Sequence, residues 1–599
     1  MINSRNRNKR SRLFPLLISG ALVTFASVVG AQEKPKSLVP SFVDGQLEKS
    51  PTTAPKPLGA PVGAEDTAPV DTDDLPTVVT GDLGAVHPVS ISLLQDGALG
   101  SDMWQGTDPN FVIRLMKNLT PPAESATAVG LYRRLLQSGG AVGGGAVVSD
   151  QVLDLRFEKL LKAGLTDDVI SLAGRLPANA QTPKRHQYQL EAQLIAGEGR
   201  AACEVTNSIE THPDIAAFLS SLAIFCHLAA GQYDRADVKY ALMEELGDIT
   251  PFFASLYARA AGGKQSLTLE QADWSPLNTA LYTLIPADKK STVDIKDVQN
   301  PAALKQIYLS AEKGTVDSLT LLAKLYNAGL ISVSELEKKL PNKQPSEEAA
   351  GQYSRYYAAL ADLKKTATDE DRIAALLSLW QAPNNMPDYR MVAVLSMPEL
   401  EKLAGQAEAP EFALEAVKAS LVAGRADLAQ NWERIARRTV FQGEAEQRLI
   451  ARKIVSRIDM YMLVSGEKAI ARWTENSLND WITATEDQVD QAPKASLLVS
   501  QMEVFGHGVT DADWQSLLRL PQPLWQVKSN HSLENTLVLA ATGGQKGATV
   551  ALALMMIGNT PLSDISLTSL RAVTAGLRAV GLQEVANRIA LEAFIARGV

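Results

Sequence analysis

Residues that could do chemistry are few and scattered in this sequence of 599 residues. No two histidines have the i, i+4 spacing that places two metal ligands on one face of a helix. No HExxH, GxSxG or GxxxxGK[ST] motif occurs. We therefore expect no catalytic centre, no metal site and no cofactor. The histidines in question are His87, His186, His212, His227, His507 and His531.

Two other stretches have a catalytic alternative that we do not favour. The run SGGAVGGGAVVSD at Ser138–Asp150 is rich in glycine, as phosphate-binding loops are, but it lacks the GK[ST] ending and follows a helix. An inter-helix loop is the favoured interpretation. In GHGVTDADW at Gly506–Trp514, Asp511 and Asp513 lie near a histidine, but helix capping by Thr510 or Asp511 explains the pattern better.

Glu124 raises the question of one enzyme class. Exported α-superhelical lytic transglycosylases, which cleave peptidoglycan, have a catalytic glutamate before a serine and a Gly-Leu-Met-Gln motif some way downstream. Here Glu124-Ser125 is followed by Gly130-Leu131-Tyr132, which is too close, and no lysozyme-like domain follows. An acid in the first turn of a helix, after Pro121-Pro122, is the simpler interpretation because the helix dipole favours it there.

The elements that must position any functional residue are helices. From about residue 105 onward, apolar residues recur three and four positions apart, as in Leu153, Phe157 and Leu160. Only 6% of the residues are aromatic, a composition typical of helices packed on helices. Glycine, asparagine and proline punctuate the pattern and predict pairs of short antiparallel helices. The one candidate strand is Val86–Leu94.

A repeat is visible at the turns between the predicted helices. Three junctions read KAGLTDDV, IAGEGRAA and AAGQYDRA, and their glycines are spaced by 33 and 34 residues. A glycine that ends one helix in a tight turn, followed five residues later by a small apolar residue, lets the next helix pack closely. The five such pairs are Gly164 and Val169, Gly197 and Ala202, Gly231 and Ala236, Gly424 and Ala429, and Gly581 and Ala586.

The stretch LAIFCHLAAGQYDRADVKYALMEELGD resembles a tetratricopeptide repeat, with Gly231 to Ala236 at the turn and Tyr240, Ala241 and Leu242 on the second helix. The segment Ala311–Leu330 is similar to the related Sel1-type half-repeat. The resemblance covers about 150–265 and recurs in patches at 300–340, 410–440 and 565–599. It implies an all-α fold, a right-handed α-solenoid of antiparallel helix pairs with a concave groove for a peptide or protein, and no chemistry. The Sel1-like positions are Gly314, Leu319, Leu322, Leu325, Tyr326 and Gly329.

The two cysteines of the chain, Cys203 and Cys226, are 23 positions apart. In such an array Cys203 opens the second helix of one pair and Cys226 closes the first helix of the next, so the two lie side by side. We expect a disulfide, which an exported protein can keep. Two buried free thiols are the alternative, and the spacing excludes a CxxC redox pair.

The resemblance also predicts a binding surface, because the first helix of each pair lines the inner curve of such an array. Arg156 and Lys159 in one repeat, with Gln189 and Gln193 in the next, are the candidate partner-binding residues, expected to be exposed and to hold an extended acidic or neutral peptide. Ordinary solvated positions are the alternative. A second candidate region carries Trp473 and Trp481, for which core packing is favoured over an aromatic platform for a peptide or glycan.

The N-terminal sequence predicts export. Five basic residues precede 19 uncharged ones that end in Val29-Gly30-Ala31, which is typical of a signal peptide over 1–31 cleaved after Ala31. An uncleaved anchor in the inner membrane is the alternative, and no later membrane span is expected. We assign residues 32–104 to an acidic, disordered linker, since eight prolines lie between Pro35 and Pro76.

The remaining chain divides into a repeat region at 105–345 and a C-terminal helical region with degenerate repeats at 346–599. A net charge of −9 argues against a nucleic-acid partner. We expect a periplasmic or secreted scaffold or adaptor that binds protein partners of the cell envelope. One alternative is a protein that binds peptidoglycan or exported polysaccharide, or acts on it as an enzyme, which a deep polar cleft with clustered carboxylates would favour. Another is a membrane-anchored structural subunit of an envelope machine.

Overall fold

The computed structural model of the protein is all-helical in the part of the chain that it describes. The described residues are 87–206, 212–263, 273–286, 298, 300–310, 316–340, 352–403, 410–488, 490–521 and 529–599. Within them there is no β-strand, so the predicted all-α class is confirmed. The predicted signal peptide at 1–31 and the predicted linker up to residue 86 lie outside the described residues and stay predictions.

Twenty-six α-helices occur in the described part of the chain, together with three short 3-10 segments at Pro88–Ser90, Ala178–Ala180 and Pro213–Ile215. None of these helices is both long enough and apolar enough to cross a membrane. The helices are α1 (Pro109–Asn118), α2 (Ala126–Gln137), α3 (Gly145–Lys162), α4 (Thr166–Gly174), α5 (Pro183–Ile195), α6 (Gly199–Thr206), α7 (Ala216–Ala229), α8 (Tyr233–Glu245), α9 (Pro251–Ala260), α10 (Pro276–Leu284), α11 (Pro301–Ser310), α12 (Val316–Asn327), α13 (Val333–Lys339), α14 (Gln352–Leu363), α15 (Asp369–Gln381), α16 (Met386–Glu401), α17 (Pro410–Val422), α18 (Ala426–Thr439), α19 (Ala445–Ser465), α20 (Ser477–Ala484), α21 (Gln491–Val504), α22 (Asp511–Leu517), α23 (His531–Thr542), α24 (Lys546–Ile557), α25 (Leu567–Ala579) and α26 (Gln583–Arg597).

The predicted glycine turns are present at all five positions. Gly164, Gly197, Gly231, Gly424 and Gly581 have φ values of 73°, 80°, 71°, 75° and 80°, in the left-handed region that glycine adopts without strain. At each turn the residue after the glycine donates its N–H to a carbonyl in the last turn of the preceding helix, as in a Schellman motif. The apolar residue five positions after each glycine is fully buried. The turn pattern read from the sequence is therefore confirmed.

The described residues form two hydrophobic cores, and helices α5 and α12 lie between them. On α5, Leu190 and Leu194 belong to one core, whereas Tyr188 belongs to the other. On α12, Leu325 and Tyr326 are divided in the same way. Because side chains three and four positions apart share a helix face, each of these helices presents an apolar face to either side. The smaller core is built by α5 to α12, and the larger one continues to the last helix.

The first helices of the body pack against its last helices. Helices α1 and α2 contact α24, and α2 also contacts α26. At this closure the N–H of Gly547 donates to the carbonyl of Met103 at 2.7 Å, and the Gln545 amide donates to the carbonyl of Gly106 at 2.6 Å. An array in which each repeat touches only its neighbours does not predict such contacts between its two ends.

The linker assigned to residues 32–104 extends too far. Val89, Leu99, Met103 and Trp104 are at most 4% exposed and belong to the larger core. The candidate strand at Val86–Leu94 is also wrong, since Pro88–Ser90 forms a 3-10 turn. The run of prolines ends at Pro76, and from Val89 onward apolar residues belong to the larger core.

The predicted boundary at 345/346 does not coincide with a break in the core. Tyr326 and Tyr356, from opposite sides of that boundary, belong to the same buried cluster. Helix α12 packs against both α14 and α16. The described residues therefore form one compact unit, in which the two predicted regions share a core.

The predicted disulfide joins Cys203 on α6 to Cys226 on α7. The Cα atoms are 5.7 Å apart, inside the range that a disulfide needs. Helix α7 follows α6 through the 3-10 turn at Pro213–Ile215 and packs against it, so the start of one helix lies beside the end of the next. This is the arrangement expected from the repeat pattern.

A glycine-to-alanine pair tests the closure. A Cβ added at Gly547 would lie 2.7 Å from the Trp104 ring and 2.8 Å from the Met103 carbonyl oxygen. We expect Gly547→Ala to lower the free energy of unfolding by about 1–3 kcal/mol, because overpacking outweighs the gain in helix propensity. In Gly130→Ala on α2, the added Cβ meets no atom within 4 Å, and the unfolding free energy should rise by up to about 1 kcal/mol. Urea unfolding of both variants measures this, and an equal response would contradict the closure.

Candidate functional site

Arg156, predicted to be exposed on a binding face, is buried. Its side chain is 3% exposed and donates to the carbonyl oxygens of Leu136, Ile91 and Gln137 at 2.5, 2.7 and 3.0 Å. Burial lowers the pKa of the guanidinium to about 10. The expected exposure is wrong because Arg156 supplies donors to carbonyls in the last turn of α2, which have no partner within the helix, and to Ile91 in the segment before α1.

Lys159 is buried for the same reason, at 5% exposure. Its ammonium group donates to the carbonyl oxygens of Lys117 and Leu119 at 2.8 and 2.7 Å, at the C-terminal end of α1. A cation is favoured there because the helix dipole leaves partial negative charge on the last carbonyls. Burial lowers the pKa of the ammonium group. Lys159 therefore fixes α1 against α3 and is not available to a partner.

Gln189 and Gln193 are half-buried on α5. The face that α5 and α7 would present to a partner is occupied within the chain, since α10 packs against both helices and α11 packs against α5 and α3. The structure therefore does not bring the four predicted residues together on one open surface. Their role in partner binding stays a prediction, with the expected exposure of Arg156 and Lys159 corrected.

The other sequence alternatives are resolved in favour of packing and capping. Trp481 is fully buried, and Trp473 packs against the same core, so they do not form an open aromatic platform. Thr510 caps α22, and its N–H and hydroxyl donate to Asp513 at 2.8 and 3.0 Å.

A recess of about 540 Å³ lies where segments from the first, middle and later parts of the body meet; we call it the acidic recess. Its floor and rim come from the loop before α2, the first residues of α11 and α16, the end of α12, the start of α14 and the loop after α24. The lining residues are Thr120, Pro121, Pro122, Ala123, Glu124, Lys162, Val298, Asn300, Pro301, Leu304, Lys324, Asn327, Ala328, Tyr353, Asn385, Pro387, Asp388 and Asn559.

Glu124 is held in the recess by the start of α2. Its neighbour Ser125 is the N-cap of that helix and accepts from the N–H of Ala128 at 3.1 Å. The Ser125 hydroxyl also donates to the carboxylate of Glu592 on α26, which accepts from the N–H and hydroxyl of Thr127 at 3.1 and 2.7 Å. The contact between α2 and α26 therefore fixes the backbone that carries Glu124.

Asp388 lies at the first turn of α16 and is 1% exposed. Asn385, the N-cap, accepts from the Asp388 N–H at 2.9 Å and donates its amide to one carboxylate oxygen at 3.0 Å. The amide of Asn327, from the end of α12, donates to the other oxygen at 3.1 Å. Tyr353 on α14 also hydrogen-bonds to this carboxyl group. Asp388 is thus fixed from three helices.

Asp388 disfavours the negative charge of Glu124. Glu124 is half-buried, and no described residue donates a hydrogen bond to its side chain or forms an ion pair with it. Burial, followed by repulsion from Asp388 and Asp564, raises the pKa of Glu124. Burial also raises the pKa of Asp388, although the hydrogen bonds from Asn385, Asn327 and Tyr353 act in the opposite direction.

The two lysines of the lining have other partners. The ammonium group of Lys162 contacts the carboxylate of Glu158 at 2.6 Å, and that of Lys324 donates to the Val298 carbonyl at 3.2 Å. Neither is among the groups that set the pKa of Glu124 or Asp388. Besides the carboxyl groups of Glu124 and Asp388, the lining of the acidic recess therefore includes two ammonium groups that have partners within the chain. Among the described residues, no group of three His, Cys, Asp or Glu side chains is placed to hold a metal ion.

Sequence reasoning found one of these residues and missed the others. The sequence pattern predicts Glu124 in the first turn of a helix, and this is wrong: Ser125 is the N-cap of α2, so Glu124 lies one position before the cap and α2 has no acid in its first turn. Asp388, Asn327 and Asn385 carry no spacing that links them to Glu124, because the recess is assembled from segments up to 435 positions apart, from Glu124 to Asn559. The only local signal was Asn385 three residues before Asp388, a helix-capping pattern.

Comparison with known proteins leaves the site to be interpreted from its own geometry. The chain matches no protein-family model, no curated protein and no solved structure. The helix pairs are compatible with a helical repeat.

The double substitution Arg156→Glu with Lys159→Glu tests the burial of these two side chains. If both were solvated, stability would hardly change. Because both are buried against carbonyl oxygens, we expect the variant to lose more than about 3 kcal/mol of unfolding free energy, or to fail to fold. Lys239→Glu, on the exposed side of α8, is the matched control and should stay within about 0.5 kcal/mol of the wild type in urea unfolding. A double variant as stable as this control would refute the burial.

Proposed function

We propose that the protein is an exported helical-repeat scaffold that binds a protein partner of the cell envelope at the acidic recess. The predicted signal peptide and the Cys203–Cys226 disulfide support export to an oxidising compartment. The five glycine turns support a tetratricopeptide-like array of helix pairs, the architecture from which partner binding is proposed. If residues 1–31 were retained, the same scaffold would be anchored in the inner membrane.

The acidic recess is the observation that carries the proposal. Its volume lies within the range of about 300–1,000 Å³ for pockets that enclose a ligand. Its walls are held by capping residues and by the closure between α2 and α26, so they are preformed and little free energy is lost in ordering them on binding.

Photo-crosslinking in cells tests the site of binding. A photoreactive amino acid is placed at Ala123 or at Asn559, two exposed residues on the rim, and at Glu244 on the exposed side of α8 as control. We expect one envelope protein to be captured from both rim positions and not from the control. The charge reversal Glu124→Lys should abolish that capture, since it reverses the local charge.

Two results would contradict the proposed site. One is capture of the same protein from the control position with equal yield. The other is undiminished capture at the rim in a folded Glu124→Lys variant, checked by its thermal unfolding. Either would move the interaction to another surface of the scaffold.

The second candidate function is an enzyme that acts on peptidoglycan or an exported polysaccharide. The specific observation is that two carboxyl groups of raised pKa lie in one recess. A carboxylic acid that stays protonated nearer neutral pH can donate a proton to a glycosidic oxygen, with a second carboxylate assisting. Glu124 would be the acid, since no described residue donates a hydrogen bond that would stabilise its ionised form.

The enzymatic candidate is tested by the release of new reducing ends from purified peptidoglycan and from an exported polysaccharide. The full-length wild type should release them, and Glu124→Gln should be slower by about a hundredfold or more because it cannot act as an acid. Glu244→Gln serves as control and should match the wild type. Wild-type protein that releases no more reducing ends than buffer would eliminate this candidate.

A further inference from the structure

A second recess, of about 450 Å³, lies among α5, α6, α7, α10 and α11, on the side of the smaller core. We call it the disulfide recess because Cys203 and Cys226 line it, and it has no lining residue in common with the acidic recess. We infer that the disulfide recess binds a carboxylate carried on an unbranched aliphatic chain, as a medium-chain fatty acid presents it. This is a small-molecule site, separate from the binding of a protein partner proposed above.

Gln306 on α11 points to a ligand, because its amide group is buried without a partner. The side chain is 3% exposed and lines the disulfide recess. Its carbonyl oxygen is buried and accepts no hydrogen bond, and its amide nitrogen donates none to the described residues. A buried polar group without a partner costs free energy, and most such groups in folded proteins are paired. A ligand that accepts a hydrogen bond from this amide would remove part of that cost.

Arg200 supplies the charge of the disulfide recess. It is the only charged residue among the described residues that line the recess, and no aspartate or glutamate is among them. Its exposed guanidinium group forms no hydrogen bond or ion pair with a described residue. Arg200 also lies in the first turn of α6, where N–H groups without intrahelical partners and the helix dipole favour an anion. A carboxylate matches a guanidinium group through two parallel hydrogen bonds.

The fold brings Arg200 and Gln306 to one recess from two directions. Gln306 and Leu309 are three positions apart and therefore share a face of α11. That face meets the turn between α5 and α6, since a Cβ added at Gly197 would lie 3.8 Å from a methyl carbon of Leu309. Arg200 follows Gly197 by three residues. The guanidinium group and the amide nitrogen are thus supplied by separate elements, as two donors to one carboxylate require.

The walls of the disulfide recess suit an aliphatic chain. Leu194, Phe225, Leu284 and Leu309 line it, and Leu309 is 49% exposed although it is a large apolar side chain. Removal of this surface from water stabilises a complex with an apolar ligand through the hydrophobic effect. The disulfide joins α6 to α7, which form two of the walls. Because these walls are joined covalently, little free energy is lost in ordering them on binding.

The available polar side chains of the lining are donors, which favours a fatty acid over a peptide. Three side chains with N–H or O–H groups line the recess, namely Arg200, Thr283 and Gln306. The Thr283 hydroxyl already donates to the Ala280 carbonyl at 2.7 Å, and the Gln306 oxygen is buried. A peptide brings backbone N–H donors that need acceptors, whereas an aliphatic chain brings none. Inorganic phosphate would pair with Arg200 but would leave the apolar walls in water.

Calorimetric titration of the full-length protein tests the inference. The probes are decanoate, used below the concentration at which it forms micelles, decanol, butyrate, inorganic phosphate, and an acetyl-Ala-Ala-Leu peptide with a free carboxyl end. We expect decanoate to bind about tenfold to a hundredfold more tightly than decanol, the range for a charge-assisted hydrogen bond. Butyrate should bind at least about a hundredfold more weakly than decanoate, because it buries fewer methylene groups. Phosphate and the peptide should also bind more weakly than decanoate.

Variants connect the binding to the disulfide recess. Arg200→Gln should reduce the affinity for decanoate to that for decanol. Arg235→Gln is the matched control, since Arg235 is an exposed arginine in the first turn of α8, and it should leave the affinity unchanged. Gln306→Leu should weaken decanoate binding about threefold to tenfold, because one hydrogen bond is lost. It should not lower the thermal unfolding temperature, because it removes a buried amide that has no partner.

Several results would overturn the inference. If decanoate does not bind, or binds no more tightly than decanol, the recess does not recognise a carboxylate. If butyrate or phosphate binds as tightly as decanoate, the apolar walls play no part, and if the peptide does, the occupant is a peptide carboxyl end. An Arg200→Gln variant that binds decanoate as the wild type does would place the binding elsewhere. Thermal unfolding checks that each variant is folded, and because Arg200 is exposed, Arg200→Gln keeps the test valid even if Gln306→Leu does not fold.

Discussion

The carboxylate of Glu592 ties the end of the folded body to its beginning, and the position of the acidic recess depends on it. Glu592 is 6% exposed on α26 and accepts from the hydroxyls of Ser125 and Thr127 and from the Thr127 N–H. These bonds offset the cost of burying a carboxyl group, while burial raises its pKa. Because Ser125 also caps α2, one buried acid sets both the start of that helix and its contact with the last helix.

At the C-terminal ends of helices, buried basic side chains donate to carbonyl oxygens, whereas Glu592 accepts from donors at the start of a helix. Helix ends leave carbonyl groups without intrahelical partners, and in a body made of many short helices such ends are numerous. Arg156 on α3 donates to the end of α2, and Lys159 on α3 donates to the end of α1. The two side chains therefore hold α1 and α2 against α3. Their charge serves internal packing, which explains why a basic pair on a helix of a repeat is not by itself a sign of a binding face.

The two cores explain why the face predicted for a partner is not open. Helices α5 and α12 are apolar on both sides, and each separates the smaller core from the larger. On the side of the smaller core, α10 lies against both α5 and α7 and buries surface that an open repeat array would leave for a ligand. The acidic recess opens instead where the starts of α2, α11 and α16 approach the end of α12. There the helix starts carry asparagine, proline and acidic residues because capping demands them, and the same residues give the recess its chemistry.

The sequence alone determined what depends on neighbours along the chain. The helical class, the glycine turns with a buried apolar residue five positions later, and the pairing of Cys203 with Cys226 all follow from spacings within about 35 residues, where the antiparallel pairing of adjacent helices fixes which side chains meet. The tertiary structure decided what depends on distant segments. Arg156 is buried because residues 89–91 and the end of α2 pack around it. The acidic recess forms because distant segments bring Glu124, Asn327 and Asp388 together, and no local sequence pattern predicts those contacts. The exposure of a polar residue on a helix is set by whatever packs over it, and that is a property of the assembled fold.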